Sequence, residues 1–329
     1  MSLPRRIGVV GAGAIGGYLA ARFALAGHEV AIVARGAHLD AVRRDGLRLR
    51  TREGERTARV LATDRAAGLG PCDVVFLTVK AHGIEALADA VAGLARPGVP
   101  LVPVLNGIPW WYFQGLDGPF RDRPVRAVDP EGRLLARFGA STLVGGVAHT
   151  AATLEGPGIV RLTTDGDFLF GAADPRDDAA ARLVAQAAEA AGLRARASEA
   201  IRRDIWVKLA GNAAFNPVSA LTGARFGEIC ASEPLLAIVR AAMREAMAVG
   251  GRHGIDFPVD VEARIAMAGK VGGAKSSMLQ DLERGRPVET GAILGAVVEL
   301  GRLAGVPAPT LALLEALVAE RANHPPGGD

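Results

Sequence analysis

The sequence predicts two parts of different architecture, an α/β part followed by an all-helical part. Three observations carry this. Near the N-terminus a short apolar run, Ile7-Gly8-Val9-Val10, leads at once into Gly11-Ala12-Gly13-Ala14-Ile15-Gly16, then into a helical pattern and a second apolar run. From Ser198 onward strand signals disappear and apolar residues recur at helical spacing. Lys208, Asn212 and Asn216 stand four apart in a stretch that is otherwise almost wholly apolar. At ~3.6 residues per turn the three polar side chains form one stripe on a helix.

Composition bounds the answer. A chain of 329 residues exceeds one average domain, and two domains are expected, 1–197 and 198–329. Half the residues are hydrophobic and 22% are charged, an ordinary globular balance. The net charge is +3, with 38 basic against 35 acidic side chains interspersed, so there is no basic block of the kind a nucleic-acid partner requires. Cys72 and Cys230 lie far apart, and the six histidines have no ligand spacing. The simplest reading is a reduced, metal-free, cytoplasmic protein. No apolar segment reaches the ~18 residues of a membrane span, and Met1 to Arg6 runs into a strand pattern rather than a signal peptide. Only the tail, Asn323 to Asp329, reads as disordered.

The elements follow in order. Ile7 to Val10 is a strand, Tyr18 to Ala24 lies on a helix, Gly27 ends it, and Glu29 to Val33 is the next strand. Within this strand–turn–helix–strand frame, Gly11 permits a tight turn, Gly13 lets backbone approach a pyrophosphate, and Gly16 lets helix and sheet pack closely. Ala12, Ala14 and Ile15 complete a loop that offers free N–H groups to phosphates. This is a Rossmann-type dinucleotide-binding domain. Where NAD-binding chains place an acid after the second strand, this one has Arg35, which suits the 2′-phosphate of NADP. Cys72 to Lys80 and Pro100 to Gly107 read as buried parallel strands with Lys80 and Asn106 at their carboxyl ends, where open α/β sheets bind ligands. Thr142 to His149 is a further strand. Ile159 to Leu162 and Phe168 to Gly171 read as antiparallel additions around a turn at Thr164-Asp165-Gly166. A helix from Arg176 to Ala191 and a short strand from Leu193 to Ala195 close the first part.

In the second part Ser198 is a candidate helix cap, and Pro217 ends or kinks the Lys208 helix. Helices are expected over Leu235 to Gly250, Val261 to Gly269, from Ser276-Ser277 onward, over Thr290 to Ala304 after Glu289, and over Pro309 to Ala322. A buried amine and two buried amides need partners. They either satisfy an internal network or bind a polar substrate. The apolar helices from Leu235 onward serve either a homodimer or only a core.

Along nearly its whole length the chain resembles the ketopantoate reductases (2-dehydropantoate 2-reductases). The resemblance runs through Gly11 to Gly16, Lys80, Asn106-Gly107, Trp206 to Pro217 and Ser276 to Asp281, and ends at Glu289. It implies a Rossmann-type domain and a helical domain with a cleft between them, and NADPH-dependent reduction of a 2-oxo acid to a 2-hydroxy acid. It places the proton donor on Lys208, substrate contacts on Asn212, Asn216 and Ser277, and cofactor contacts on Lys80, Asn106, Glu289 and Ala151. Three features depart from the family pattern. Ala274 and Phe226 stand where amides are frequent, and the segment after Asn106 is long, with Pro109-Trp110-Trp111-Tyr112-Phe113. They bear on which 2-oxo acid is reduced.

Hydride addition to a ketone builds negative charge on oxygen, and Lys208 suits both its stabilisation and its protonation, with Glu289 holding the charged form. Asn106, Asn212 and Asn216 offer donors and acceptors to the substrate. Two classes remain open: a reductase for ketopantoate or another 2-oxo acid, and a non-catalytic NADPH-binding regulator.

Overall fold

The computed structural model describes residues 3–140 and 143–324, so the tail reading from 325 onward lies outside the described residues. The chain divides into two compact units. One comprises Met1–Leu105, Phe113–Pro124 and Gly132–Ile201; the other comprises Asn106–Tyr112, Val125–Glu131 and Arg202–Asp329. Two short pieces of the first half of the sequence therefore group with the helical unit.

The first unit contains β1 (Arg6–Val10), α1 (Ala14–Leu25), β2 (Glu29–Val33), α2 (Gly36–Asp45), β3 (Leu47–Thr51), β4 (Gly54–Ala58), β5 (Leu61–Thr63), β6 (Val74–Leu77), α3 (Ala88–Ala92) and β7 (Leu101–Pro103). It continues with α4 (Arg133–Arg137), β8 (Val144–Ala148), β9 (Ala151–Gly156), β10 (Ile159–Thr164), β11 (Phe168–Ala172), α5 (Ala179–Ala190) and β12 (Ala195–Ala197). Strands β5-β2-β1-β6-β7 form a parallel sheet, with Val9 opposite Ile32 on one side and Phe76 on the other. Strands buried on both faces read as continuous apolar runs, which is why β1 and β6 are so plain in the sequence. Isolated parallel bridges, Leu101 to Leu143 and Val104 to Gly146, lead on to β8, which pairs with β11 and through it with β12. A separate sheet, β4-β3-β10-β9, is smaller. Phe23, Phe76, Phe168 and Phe170 are fully buried, and Phe76 meets Phe170 edge-on at 6.1 Å.

The glycine loop has the expected shape for packing reasons. Gly11 adopts φ +102°, which L side chains avoid, and a Cβ there would come within 2.6 Å of Val79. A Cβ at Gly16 would lie 2.2 Å from both the Gly11 carbonyl and Thr78 Oγ1, and Thr78 Oγ1 donates to that carbonyl at 2.6 Å.

The second unit holds α6 (Ile201–Thr222), α7 (Phe226–Ala231), α8 (Glu233–Arg252), α9 (Val261–Gly269), α10 (Ser277–Glu283), α11 (Ala296–Ala304) and α12 (Pro309–Asn323). A π-helical turn, Gly291–Gly295, precedes α11. Pro217 lies inside α6, which runs on to Thr222. Ile205, Trp206, Leu209, Ala213, Ala214 and Phe215 are buried, as an all-round apolar helix requires.

One expected pairing is corrected. Residues 159–164 and 168–172 do not pair with each other: β10 pairs with β3 and β9, and β11 with β8 and β12. The physical reason is burial. Phe168 to Gly171 are buried throughout and belong in a covered sheet, whereas β10 is half-exposed along most of its length. Two boundaries also shift: α5 begins at Ala179 rather than Arg176, and the last strand lies at Ala195–Ala197.

Gly16→Ala is expected to lower the unfolding free energy by about 2 kcal/mol in a denaturant titration, because backbone must move to admit the methyl group. Gly13→Ala, where a Cβ meets no protein atom within 4 Å, is expected to stay within ~0.5 kcal/mol of the parent.

Candidate active site

Lys208 projects from α6, and its ammonium donates to Asn106 Oδ1 at 2.8 Å. Asn106 Nδ2 in turn donates to Glu289 Oε2 at 3.2 Å. The two bonds orient the amide unambiguously, since only its oxygen can face an ammonium and only its nitrogen a carboxylate. Among the described residues this is the only hydrogen bond of the Lys208 ammonium, and two of its three donors remain for other partners. Lys208 is half-buried by exposed area, but its ammonium is enclosed enough that loss of hydration dominates its titration. Burial pushes its pKa down to about 8, against the opposing pull of the Glu289 carboxylate.

Asn106 is held in place by a second device. Gly107 has φ +79°, and a Cβ there would lie 2.2 Å from the Ala292 carbonyl oxygen. That carbonyl accepts from Ile108 N–H at 2.9 Å. Ala292 sits in the π-helical turn just after Glu289, so one wide turn both carries the carboxylate and anchors the strand of chain bearing the amide. Such turns free a carbonyl from the helical ladder and are frequent at functional sites. The segment continues into Tyr112, whose hydroxyl accepts at 2.7 Å from Nε1 of Trp206, two residues before Lys208. Ala127 and Arg126 N–H groups donate to Glu299 at 2.8 and 2.9 Å, fastening the second inserted piece.

Asn212 and Asn216 continue the Lys208 stripe. Asn216 is buried, Asn212 is half-buried, and among the described residues neither side-chain amide has a hydrogen-bond partner. Ser276 is buried and caps α10, its hydroxyl accepting from Leu279 N–H at 3.0 Å, while the neighbouring Ser277 is exposed. Phe226 N–H donates to the Ala274 carbonyl at 3.1 Å, so the two positions that depart from the family pattern are neighbours. The Phe226 ring meets Phe215 edge-on at 5.4 Å.

In the first unit, Gly11 to Gly16 form the turn between β1 and α1, and the first turn of α1 has no acidic residue to repel a phosphate. At Gly13 a Cβ would meet no protein atom, so protein packing does not require glycine there, whereas close approach of a dinucleotide backbone does. Arg35 is exposed just beyond β2, where it makes no ion pair among the described residues. Lys80 follows β6 and is half-buried; Ala151 opens β9 and is exposed. The residues fit a dinucleotide.

Sequence reasoning missed the anchoring role of Gly107 and the π-helical turn. The available signal was a pair of glycines inside an apolar helix. A Cβ on Gly291 would lie 2.7 Å from the Ala127 carbonyl, and one on Gly295 would lie 2.6 Å from Glu315.

A glycine loop between parallel strand and helix in one unit, and a lysine–amide–carboxylate chain in the other, define a dinucleotide-dependent oxidoreductase. The chain belongs to the ketopantoate reductase family: residues 7–175 match the model "Ketopantoate reductase PanE/ApbA", and residues 200–322 match its C-terminal counterpart. It is 44% identical to a 2-dehydropantoate 2-reductase of Mesorhizobium japonicum over 96% of this chain and 98% of that one. It overlays a crystal structure from Ralstonia solanacearum MolK2 with a TM-score of 0.91 and 40% identity, covering 98% of this chain and 99% of the other. A D-mandelate dehydrogenase with NADH and anilino(oxo)acetate shares the fold, with a TM-score of 0.83 at 23% identity over 97% of this chain and 99% of that one. Among the described residues no helix is long and apolar enough to cross a membrane.

Because folding lowers the Lys208 pKa, the protonated amine opposes folding below pH about 8, and that opposition fades as pH rises from there toward 10.5. Titration of Lys208 by NMR is expected to show a midpoint about two units below that of an exposed lysine. Glu289→Gln removes the carboxylate that favours the charged form, and the midpoint is expected to move lower still. A rise would show that the carboxylate acts otherwise.

Proposed function

We propose that the protein reduces a 2-oxo acid to the 2-hydroxy acid with NADPH, with Lys208 as the proton donor, and that the substrate is 2-dehydropantoate. The observation that carries this reading is the hydrogen-bonded chain from Lys208 through Asn106 to Glu289. It sets an ammonium with two unspent donors and a pKa of about 8 beside amides that have no partner of their own. A lysine of that pKa is largely charged near neutrality, yet gives up its proton more readily than an exposed one.

Bound NADPH supplies a hydride to the carbonyl carbon. The chain's own residues do the rest. Lys208 neutralises the charge that develops on the carbonyl oxygen and delivers its proton there, leaving the amine to be reprotonated from solvent. Asn212 and Asn216 orient the substrate's oxygen-bearing groups, and Ser277 donates to its carboxylate. Gly11, Ala12, Gly13, Ala14, Ile15 and Gly16 take the pyrophosphate, and Arg35 the 2′-phosphate. Lys80, Asn106, Ala151 and Glu289 complete the cofactor contacts. Residues 1–197 thus carry the cofactor contacts other than Glu289, and 198–329 the acid, in a cytoplasmic enzyme. The choice of 2-dehydropantoate is supported by the Mesorhizobium relative's identity across nearly the full length of both chains.

The test is a panel of 2-oxo acids followed by NADPH oxidation. 2-Dehydropantoate is expected to give the highest kcat/KM, and the rate to fall as pH passes about 8 and Lys208 loses its proton. Lys208→Ala is expected to lower kcat by about a thousandfold while NADPH affinity stays within about threefold. Unchanged turnover in that variant overturns the assignment of the acid. NADPH binding with no oxidation on any member of the panel overturns the reductase reading in favour of a regulator.

A further inference from the structure

We propose that Arg264 is the anion contact of the Lys208 site: its guanidinium, laid against α6 at Gly211, holds the carboxylate of the 2-oxo acid. This rests on the reductase reading above and extends it to a residue that joins Ser277 in binding the charged end of the substrate.

The geometry starts at Gly211, three residues after Lys208 and one before Asn212. On a helix this is about 60° from the lysine and about 100° from the amide, so all three share one side of α6. A Cβ at Gly211 would lie 2.9 Å from Arg264 Nη2, 3.2 Å from Nε and 3.3 Å from Cζ. The Nε–Nη2 edge of the guanidinium therefore lies against α6 at this position. Glycine leaves the room for that approach.

Arg264 is an exception among the half-buried arginines of this unit. Arg240 pairs with Glu233 and Glu262 at 2.9 and 2.8 Å. Arg264, on α9, is half-buried, its Nε is enclosed, and among the described residues its side chain has neither a hydrogen bond nor an ion pair. The acids on its own helix face other duties: Glu262 serves Arg240, and Asp260 caps α9 by accepting from Ala263 N–H at 2.8 Å. Burial alone acts on Arg264, lowering its pKa from the ordinary arginine range with no anion to oppose the effect. A half-buried guanidinium without a partner is unfavourable, and such groups in native proteins call for an explanation.

Its neighbours indicate the missing partner. Lys208 has two unspent donors, and Asn212 and Asn216 have no partner among the described residues. Glu289 is joined to Asn106. Among the described residues no carboxylate pairs with Arg264, which leaves its fork open to the carboxylate of a ligand. The planar fork of a guanidinium matches a carboxylate in two parallel hydrogen bonds, a geometry that an ammonium does not provide.

The experiment compares Arg264→Gln and Arg264→Lys with the parent enzyme in two assays. In turnover, the quantity read is the ratio of kcat/KM for a 2-oxo acid to that for its uncharged methyl ester. Arg264→Gln is expected to lower this ratio by about 30- to 100-fold, the worth of a charge-assisted hydrogen bond, and Arg264→Lys by less. In calorimetry without turnover, oxamate affinity is expected to fall by a similar factor, while binding of the neutral oxamide does not distinguish the proteins. The midpoint of thermal unfolding is expected to hold or rise in Arg264→Gln, because a half-buried unpaired charge has been removed.

Equal losses on acid and ester, with a lowered unfolding midpoint, overturn the proposal and leave Arg264 a packing residue. The two readings fail separately. A parent enzyme that turns over 2-oxo acids with an unchanged ratio in Arg264→Gln loses only the proposal. One that reduces none of them, yet binds oxamate through Arg264, loses only the reductase reading.

Discussion

The hydrogen bond from Lys208 to Asn106 is the constraint around which the second unit is arranged. An ammonium inside an apolar helical unit is unfavourable unless something replaces its hydration. Asn106 does so in part, with an oxygen 2.8 Å from the nitrogen, and Glu289 supports the amide from behind. The residues involved are 102 and 183 positions apart in the chain. Their meeting depends on Ile108, Gly107 and the Ala292 carbonyl, which fasten the Asn106 segment to the turn that carries Glu289. Tyr112 and Trp206 tie the far end of the same segment to α6. The amide is therefore held from both sides of the lysine.

This explains why Asn106–Tyr112 and Val125–Glu131 group with the helices although they follow a strand of the parallel sheet. Their backbone groups are satisfied by the second unit: Ile108 N–H by Ala292, and Arg126 and Ala127 N–H by Glu299. Trp111 and Tyr112 are buried beneath Arg202, whose guanidinium lies 5.4 Å from the Trp111 ring and donates to the Tyr112 carbonyl at 2.7 Å. The aromatic run after Asn106 is thus packing, and its work is to steady the amide.

How much of this the sequence revealed depends on the range of the interaction. The Lys208 stripe, the glycine loop and the strands β1, β2 and β6 were legible because each is written in local periodicity and burial. Capping was legible only in part: Ser276 caps α10, whereas Ser198 stands three residues before α6 begins at Ile201, and its hydroxyl accepts from Ala200 N–H instead. The partners of β10 and β11 were not legible, because a short turn at Asp165-Gly166 looks like a hairpin and only burial in distant sheets decides otherwise. The π-helical turn was not legible either. An i to i+4 pattern and an i to i+5 pattern differ by one residue, and what widens the turn here is the approach of Ile108 and Ala127 from elsewhere in the chain. Arg264 carried no local mark at all: in the sequence it is one arginine of a helix, and only its half-burial without a counter-charge in three dimensions sets it apart.

The amide between lysine and glutamate has a consequence for acidity. A carboxylate in direct contact with an ammonium stabilises the charged form strongly, because Coulomb energy falls only as the inverse of distance and rises where water is excluded. Such a lysine would hold its proton above the ordinary range and release it poorly. Burial without any anion does the reverse and drives the amine toward its neutral form. With Asn106 interposed, Glu289 acts from one side chain further away, and burial wins by a moderate margin, which is why the pKa settles at about 8. Asn106 can transmit the orientation of the carboxylate without passing on a full charge, since an amide offers a donor to one neighbour and an acceptor to the other. Aspartate at 106 would bring the charge into contact with the ammonium, and an apolar residue would break the chain. The amide at 106 joins the two groups while keeping their charges out of direct contact.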